Sequence, residues 1–376
     1  MSPSIRFPEF TGEWEYFSIN DVCSEFKSGK NIKADLISSN GNFPVYGGNG
    51  LRGYTSSYNH DGLYVLIGRQ GALCGNVRSV FGKIYITEHA IAVAGNEKSD
   101  TNFLHYLFLK MNLGQYSDQS AQPGLAVNKL LKLKVLLPSI SEQIKIAKLL
   151  SLLDERIAVQ NRLIDRLQSL MIGLNNSLYE QYGNDITTSF MELGYSYSGL
   201  SGKSAKDFGS GKPFITYLNV YSNIIVDETD YQYVRINDGE KQNIVRTGDV
   251  LFTLSSETPE EVGIGSVYLG EKEVYLNSFC FGIHIERNQL AYSPYLSYYV
   301  TSTAFRKFIY PFAQGSTRFN LCKADFEKAS IKLPSLDNQK RISAMLDCIA
   351  EKIQAEKAIL EYYNIQRQYL LRQMFI

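Results

Sequence analysis

The sequence predicts a mixed α/β (α+β) protein in which two related globular domains alternate with two long helices. Three observations predict this fold class: a heptad pattern over residues 150–178, its return 196 residues later, and a glycine-punctuated, β-rich segment before each pattern. The first domain covers residues 1–138 and is followed by a long helix over 139–183. The second domain covers residues 184–334 and is followed by a long helix over 335–376.

The first long helix is predicted from the spacing of its large apolar side chains, which recur in steps of three and four. That spacing is typical of the contact line of a coiled coil, so the helix needs a helical partner. The predicted residues of this helix-pair seam, one of them polar, are Leu150, Leu153, Ile157, Gln160, Ile164 and Leu167.

The partner of this helix lies in the same chain. Adding 196 to those numbers gives a second seam, formed by Leu346, Ile349, Ile353, Glu356, Leu360 and Tyr363. The match continues upstream, with Pro138 against Pro334 and Gln143 against Gln339. Two unrelated surface helices with coincident heptads are the alternative. The shared proline, glutamine and polar seam position favour an internal repeat.

The order of the four parts favours antiparallel helices. Each long helix follows its own domain, so antiparallel packing would place the domains at opposite ends and parallel packing would place them side by side. Gln160 and Glu356 each lie near the middle of their helix and would meet in one polar layer. Such a layer costs stability but disfavours slipped registers. We predict an antiparallel coiled coil in which Gln160 approaches Glu356.

Shorter elements follow from local pattern. In the first domain we predict strands at 63–67, 84–86 and 134–137, and helices over 101–113 and 128–131. In the second domain we predict strands at 249–253 and 282–285, and one helix from Pro294 to about Phe308.

Composition limits the classes of protein that fit. The 38 basic residues are balanced by 38 acidic residues and the isoelectric point is about 6.9, so any DNA-binding surface has to be local. No run of about eighteen apolar residues occurs and no signal peptide begins the chain, which predicts a cytoplasmic protein with no membrane contact. Five cysteines without a Cys-x-x-Cys pair, and only four histidines, suggest no metal site.

Four kinds of motif carry a resemblance to a known family. They are Arg6-Phe7-Pro8-Glu9-Phe10-Thr11-Gly12-Glu13-Trp14-Glu15, Phe43-Pro44-Val45-Tyr46-Gly47-Gly48-Asn49-Gly50, Ile67-Gly68-Arg69-Gln70-Gly71-Ala72, and the Leu-Pro-Ser entry into each long helix. Together, in this order and in a duplicated frame, they resemble the specificity subunit of type I restriction-modification enzymes, and the resemblance covers the whole chain.

The resemblance implies a function that composition alone does not reveal. Two target-recognition domains would each bind one half of a bipartite target in double-stranded DNA. The helices would set the spacer and would dock two methyltransferase subunits and, for cleavage, translocating restriction subunits. S-adenosylmethionine and ATP with magnesium would bind to those partner subunits, and no cofactor is expected in this chain.

Candidate DNA-binding residues come from two glycine-rich loops and one tail. Asparagine and arginine beside glycine can approach adenine and guanine edges closely, which points to Gly47, Asn49 and Arg52 in one loop and to Arg69 and Gln70 in the next. The alternative for the first loop is a glycine turn that joins two strands. In the second domain the candidates are Ser316, Thr317 and Arg318, which lie at offset 196 from Ser120-Ala121-Gln122. That earlier tail, through Pro123, could instead cap a helix.

Catalytic motifs do not stand out. Gly202-Lys203-Ser204 resembles the end of a phosphate-binding loop, but the leading glycine is replaced by Tyr197, and no methyltransferase tetrapeptide occurs. We therefore predict a non-catalytic subunit of a methyltransferase and endonuclease complex. A coiled-coil scaffold that does not bind DNA, and an enzyme of unfamiliar motif in the second half, are the alternatives.

Overall fold

The structure is a computed structural model that describes residues 3–117 and 123–376. The chain divides into two compact units. The first unit consists of Met1–Arg162 and Ala358–Ile376, and the second of Leu163–Lys357. Each long helix contributes to both units, because the unit boundaries fall inside the helices.

The first unit is built around a six-stranded sheet in the order β2-β7-β5-β6-β3-β4, and a two-stranded sheet pairs β1 with β8, within its described residues. Its elements are β1 (Glu15–Ser18), α1 (Ile19–Val22), β2 (Cys23–Ser28), β3 (Phe43–Gly47), β4 (Gly50–Thr55), β5 (His60–Gly68), β6 (Val77–Ile86), β7 (Ala90–Gly95), α2 (Thr101–Met111), α3 (Val127–Leu131), β8 (Lys134–Leu137) and the long α4 (Ile140–Tyr182).

Two glycines face each other in the central hairpin of this sheet. Gly62 on β5 pairs with Gly82 on β6, and both have a positive φ, of 126° and 101°. Residues with a Cβ rarely adopt this backbone conformation, so both positions favour glycine. Further along β6, Ile84 and Ile86 pack with Leu66 of β5 in one buried cluster. The sheet therefore has a small core of its own, apart from the main core of the unit.

The main core of the first unit joins the sheet to helices. Phe103 and Phe108 of α2 pack with the apolar residues of β5 and β7 and with Leu150 of α4. The same cluster contains Leu371 and Phe375 from the end of the chain. The beginning of α4 and the end of the last helix therefore pack into one core.

The second unit contains several smaller sheets, in the orders β10-β17-β13-β15, β12-β11-β16, β14-β19-β18 and β20-β9. Its elements are β9 (Ile186–Thr188), α5 (Phe190–Leu193), β10 (Gly194–Ser198), β11 (Phe208–Ile215), α6 (Tyr217–Ser222), β12 (Tyr231–Val234), β13 (Val250–Thr253), β14 (Ser255–Ser256), β15 (Gly265–Val267), β16 (Tyr275–Leu276), β17 (Cys280–Ile285), α7 (Ser293–Tyr299), α8 (Thr303–Ile309), β18 (Ala313–Gly315), β19 (Phe319–Leu321), α9 (Lys323–Lys328), β20 (Ile331–Leu333) and the long α10 (Leu336–Gln373).

The core of the second unit receives the opposite ends of the long helices. Ile342 and Leu346 at the start of α10 are buried in it, and Leu174 and Leu178 near the end of α4 pack against the same cluster. In each unit, then, the early part of one long helix accompanies the late part of the other. This confirms the antiparallel packing and the mixed α/β fold class predicted from the sequence.

The predicted seam residues lie toward the protein interior. None of the twelve is exposed. The polar pair is buried as well, with Gln160 8% and Glu356 5% exposed, and Lys352 Nζ lies 2.5 Å from Glu356 Oε1. Neither side chain points to bulk solvent. The approach of Gln160 to Glu356 stays a prediction.

One predicted helix is wrong. The expected single helix from Pro294 to about Phe308 is interrupted after α7, and α8 begins anew at Thr303. The cause is local, because the Ser302 hydroxyl accepts a hydrogen bond from the Phe305 amide at 3.1 Å and caps a new helix. Across the described residues, no helix has the length and hydrophobicity needed to cross a membrane.

Candidate nucleic-acid interface

The second glycine-rich loop of the first unit, which contains Arg69 and Gln70, is held at the end of β5 by a frame of main-chain hydrogen bonds. The Arg69 amide donates to the His89 carbonyl at 2.9 Å, and the Leu125 amide donates to the Arg69 carbonyl at 2.9 Å. Gln70 forms an isolated β-bridge with Gly124. The loop that follows β5 is thus held between the start of β7 and a distant segment of the chain.

The second unit repeats this frame after β13. The Leu254 amide donates to the Phe279 carbonyl at 2.8 Å, and the Leu321 amide donates to the Leu254 carbonyl at 2.8 Å. Ser255 pairs with Asn320. Leu321 lies 196 residues after its counterpart in the first unit, so the frame belongs to the internal repeat. Ser255 and Phe279 therefore occupy the places that Gln70 and His89 occupy in the first unit.

The segment Gly47-Gly48-Asn49-Gly50 forms a tight hairpin turn between β3 and β4, as the structural alternative predicted. Gly50 has a φ of 101°, which favours glycine at this position. Asn49 is exposed at the tip of the turn, and Arg52 is exposed on β4. The turn therefore presents both candidate side chains to solvent.

The turn also packs directly against the second candidate loop. A Cβ added to Gly48 would lie 2.8 Å from the His89 carbonyl oxygen and 3.4 Å from that of Gln70. On the other side, Gln70 Oε1 lies 2.9 Å from His89 Nδ1. Glycine allows this close approach of two backbones. The structure thus brings the candidates of both loops onto one surface.

Arg78 joins this surface and was missed from the sequence. A Cβ added to Gly50 would lie 2.9 Å from the Cζ and Nη2 atoms of Arg78 and 3.0 Å from its Nη1. The guanidinium therefore rests on the turn. Arg78 and Ser79 form an exposed polar pair between the buried Val77 and Val80 at the start of β6, and this pair was the available signal. We call the surface formed by Asn49, Arg52, Arg69, Gln70 and Arg78 the glycine-turn patch.

The glycine-turn patch is locally positive in a chain of zero formal net charge. Among residues 3–117 and 123–376, no carboxylate oxygen lies within 4.0 Å of the guanidinium of Arg52, Arg69 or Arg78. Three arginines without a neutralising partner in that part of the chain can interact with phosphates or with base edges.

The second unit displays different residues at the corresponding place. Ser316 and Thr317 are exposed in the turn between β18 and β19. Arg318 Nη2 donates to Ser255 Oγ at 3.2 Å, and its guanidinium lies 5.8 Å from the centre of the Phe279 ring. These three residues, Ser255, Phe279 and Arg318, form the Arg318 cluster. The matching residues of the first domain, Ser120-Ala121-Gln122, lie outside the described residues.

The loop between β13 and β15, beside the Arg318 cluster, is held by side chains that sequence reasoning also missed. The Arg306 guanidinium donates to the carbonyl oxygens of Glu260, Val262 and Gly263 at 2.7–2.8 Å. Hydrogen bonds from the Tyr221 hydroxyl, at 2.8 Å, and from a serine lower the pKa of the Glu261 carboxyl. No sequence motif predicts that an arginine binds main-chain carbonyl oxygens. The described residues contain no group of three or more His, Cys, Asp or Glu side chains suited to a metal ion.

The fold and the two surfaces described above fit a family of DNA-specificity proteins. Residues 11–169 and 200–362 match the family model "Type I restriction modification DNA specificity domain", and the chain belongs to this family. The two matches fall on the two copies of the internal repeat.

Two relatives are described as specificity subunits of type I restriction enzymes, one of them as a putative one. The chain is 50% identical over 112 residues to the EcoprrI specificity subunit of Escherichia coli, a match that spans 30% of this chain and 28% of that protein. It is 23% identical over 360 residues to the putative specificity subunit S.HindORF215P of Haemophilus influenzae, which spans 89% of this chain and 87% of that protein.

A solved structure shows the same fold over the full length. The chain is similar to the S subunit of a type I restriction-modification system from M. genitalium, with a TM-score of 0.64, 17% identity and coverage of 100% of this chain and 99% of that one. A second structure, from work on the assembly and conformational transition of a type I system, gives a TM-score of 0.60 at 18% identity, covering 98% of this chain and 99% of that one.

Proposed function

We propose that this chain is the DNA-specificity subunit of a type I restriction-modification system, in which each repeat binds one half of a bipartite target. The observation that carries the proposal is the pair of matches to a DNA-specificity domain, one on each copy of the repeat. The two copies keep one backbone frame and display different side chains on it, as two half-sites of different sequence require.

In the first unit, the DNA-facing surface is the glycine-turn patch. Its arginines provide the positive charge that phosphates attract, and its glycines allow a DNA backbone or base edge to come close. In the second unit, the corresponding surface is the Arg318 cluster with the exposed Ser316 and Thr317. Its aromatic ring and its two hydroxyls offer a chemistry different from that of the first unit.

The long helices set the spacing between the two half-sites. With 43 and 38 residues, they are about 60 Å long at 1.5 Å per residue. One turn of DNA is about 34–36 Å. Sites between one and two turns apart on nearly the same face of the duplex suit helices of this length.

The helices also dock two methyltransferase subunits, and restriction subunits join for cleavage. Large apolar side chains on the long helices remain exposed, which favours a partner surface. They include Leu152, Val159, Leu170, Tyr362 and Tyr369. The chemistry is supplied by the partners, which bind S-adenosylmethionine and ATP with magnesium, and this chain acts without catalysis of its own.

Methylation-aware sequencing of the host genome, with and without this gene, tests the proposal. The expected result is one bipartite methylated motif that disappears with the gene. A genome whose methylated motifs are the same in both strains would contradict DNA specificity and would favour a scaffold role.

Changing helix length tests the spacer role separately. Four residues add about one helical turn, or 6 Å, so inserting four residues into α4 and four into α10 should lengthen the unread spacer. The half-site sequences should stay the same, because the insertions change neither the glycine-turn patch nor the Arg318 cluster. A changed half-site with an unchanged spacer would contradict this role of the helices.

A further inference from the structure

We propose that Arg78 is the specificity-determining residue of the first unit and contacts a guanine in its half-site, while Arg52 and Arg69 contact phosphates. This inference rests on the proposed function, since it assigns roles within the DNA-facing surface of that unit. It separates three arginines of one patch by how firmly the structure holds each guanidinium.

The guanidinium of Arg78 lies against the backbone of the turn. Its Cζ, Nη1 and Nη2 atoms all lie 2.9–3.0 Å from the position that a Gly50 Cβ would take. Three terminal atoms at nearly equal distances from one point place the guanidinium flat against the turn. Because Gly50 has no Cβ, the turn accepts the guanidinium, and the φ of 101° favours glycine there.

Arg52 and Arg69 are held differently. Arg52 contacts the turn through its aliphatic stem, with Cδ 2.8 Å and Cγ 3.4 Å from the position of a Gly47 Cβ. Arg69 is anchored by its main chain, through its amide and its carbonyl group. Within the described residues, no hydrogen bond holds any of the three guanidinium groups, so the contact of the Arg78 guanidinium with Gly50 is what distinguishes Arg78. The Arg52 and Arg69 side chains can therefore follow a phosphate as mobile positive charges.

A fixed fork is what guanine recognition requires. Guanine presents two acceptors, N7 and O6, to the major groove, and an arginine binds both with two parallel N–H groups. Discrimination depends on holding the fork in one direction, since a mobile guanidinium finds acceptors on any sequence. Arg78 is exposed, so its outward N–H groups are accessible to a base edge.

The test uses the complete complex of this chain with its methyltransferase subunits. A random DNA library is bound and sequenced for the wild type and for the variants Arg78→Ala and Arg78→Lys. Both variants should lose the preference for guanine at one position of one half-site by at least about fivefold. The other half-site, bound by the second unit, should be unchanged and serves as the internal control for folding and assembly.

Arg52→Ala and Arg69→Ala are the matched controls. Each should weaken binding to all sequences alike and should reduce the slope of log affinity against log salt by about one. Gly50→Ala keeps every charge but displaces the Arg78 guanidinium. It should therefore lose the same guanine preference while the salt slope stays that of the wild type.

Two results would overturn the assignment. If Arg78→Lys keeps the full consensus, or if Arg78→Ala weakens all sequences equally, Arg78 contacts phosphate and does not read a base. A wild-type complex that selects no bipartite sequence would contradict the proposed function itself, so the two failures are distinguishable.

Discussion

A buried glutamine near the start of each long helix makes three equivalent hydrogen bonds in the two units. In the first unit, Gln143 of α4 accepts a hydrogen bond from the Asp100 amide. It donates to the carbonyl oxygens of Lys98 and Pro138, and all three distances are 2.9 Å. In the second unit, Gln339 takes the same place near the start of α10. It accepts from the Tyr292 amide at 2.8 Å and donates to Leu290 and Pro334 at 2.8 and 2.9 Å.

The glycine-turn patch of the first unit and the Arg318 cluster of the second differ in their side chains, whereas the two glutamine sites agree. Where the first unit has Gln70 bonded to His89, the second has Ser255 bonded to Arg318, which lies over Phe279. A completely buried amide with three partners tolerates almost no replacement, because each lost bond leaves a buried backbone group unsatisfied. An exposed side chain has no such constraint. The repeat therefore persists where its polar groups are buried and has diverged where they face solvent.

Removing the glutamine gives the largest effect that we expect. Gln143→Ala and Gln339→Ala should each lower the free energy of unfolding by about 3 kcal/mol, because three hydrogen bonds are lost at a buried site. Urea denaturation of each variant measures the loss. Similar losses would show that the two sites are energetically as well as geometrically equivalent.

Neighbouring exposed residues provide the controls for this comparison. Lys148→Ala and Lys340→Ala alter exposed positions on the same helices and should change the free energy of unfolding by less than about 0.5 kcal/mol. A loss confined to one of the two glutamine variants would break the equivalence.

The fold could be predicted largely because its strongest signals are local or repeated. The three-four spacing of the long helices and the constant offset of 196 predicted both helices and their antiparallel pairing, and strand β8 was predicted with its observed ends. The broken helix at Ser302 was missed because apolar spacing continues across the break. There a serine cap outweighs periodicity.

The candidate site was less predictable, because proximity in space carries no signal in a single sequence. Glycine and arginine together indicated Arg52 and Arg69, whereas Arg78 follows no glycine motif and joins them because its guanidinium lies against Gly50 in the folded chain. Arg306 acts on three carbonyl oxygens, and a carbonyl oxygen is present at every residue. Which of the candidate residues contact DNA stays a prediction.

Lowering the pH should destabilise the first unit through His105, which has no titratable counterpart in the second unit. Burial lowers the pKa of His105 to about 4, against about 6.5 in an unfolded chain. The neutral side chain therefore contributes stability above pH 6.5 that is lost as the pH falls toward 4. Denaturation at pH 7.5 and pH 5 should show a contribution from His105 of about 2 kcal/mol to the loss of stability.

His105→Gln should remove this contribution, and the loss of stability between the two pH values should shrink by about that amount. The second unit offers the comparison. Counted from the matching tyrosines, Tyr106 and Tyr298, the residue at this place is Ser297, which cannot titrate in this range. An unchanged pH dependence in the histidine variant would contradict the assignment.

The smallest expected effect concerns an ion pair that, among residues 3–117 and 123–376, only the first copy forms. Tyr106 and Tyr298 each donate to an aspartate on a long helix, at 2.9 Å to Asp154 and at 2.6 Å to Asp347. Asp154 also accepts from Arg367, whereas the residue 196 positions earlier than Arg367 is Met171. Asp347 lies 193 residues after Asp154, and within the described residues no lysine or arginine nitrogen lies within 4.0 Å of its carboxylate.

Arg367→Met makes the first copy resemble the second. The side chains of Arg367 and Asp154 are 27% and 34% exposed, so the variant should lose less than about 1 kcal/mol at pH 7.5.

The pH dependence of this variant is more informative. The charge of Arg367 lowers the pKa of His105 and that of Asp154 raises it, so removing the arginine should raise that pKa. The loss of stability between pH 7.5 and pH 5 should then be smaller than in the wild type. Arg372→Met, at an exposed position of the same helix, should leave it unchanged. Equal behaviour of the two variants would show that Arg367 has no electrostatic influence on His105.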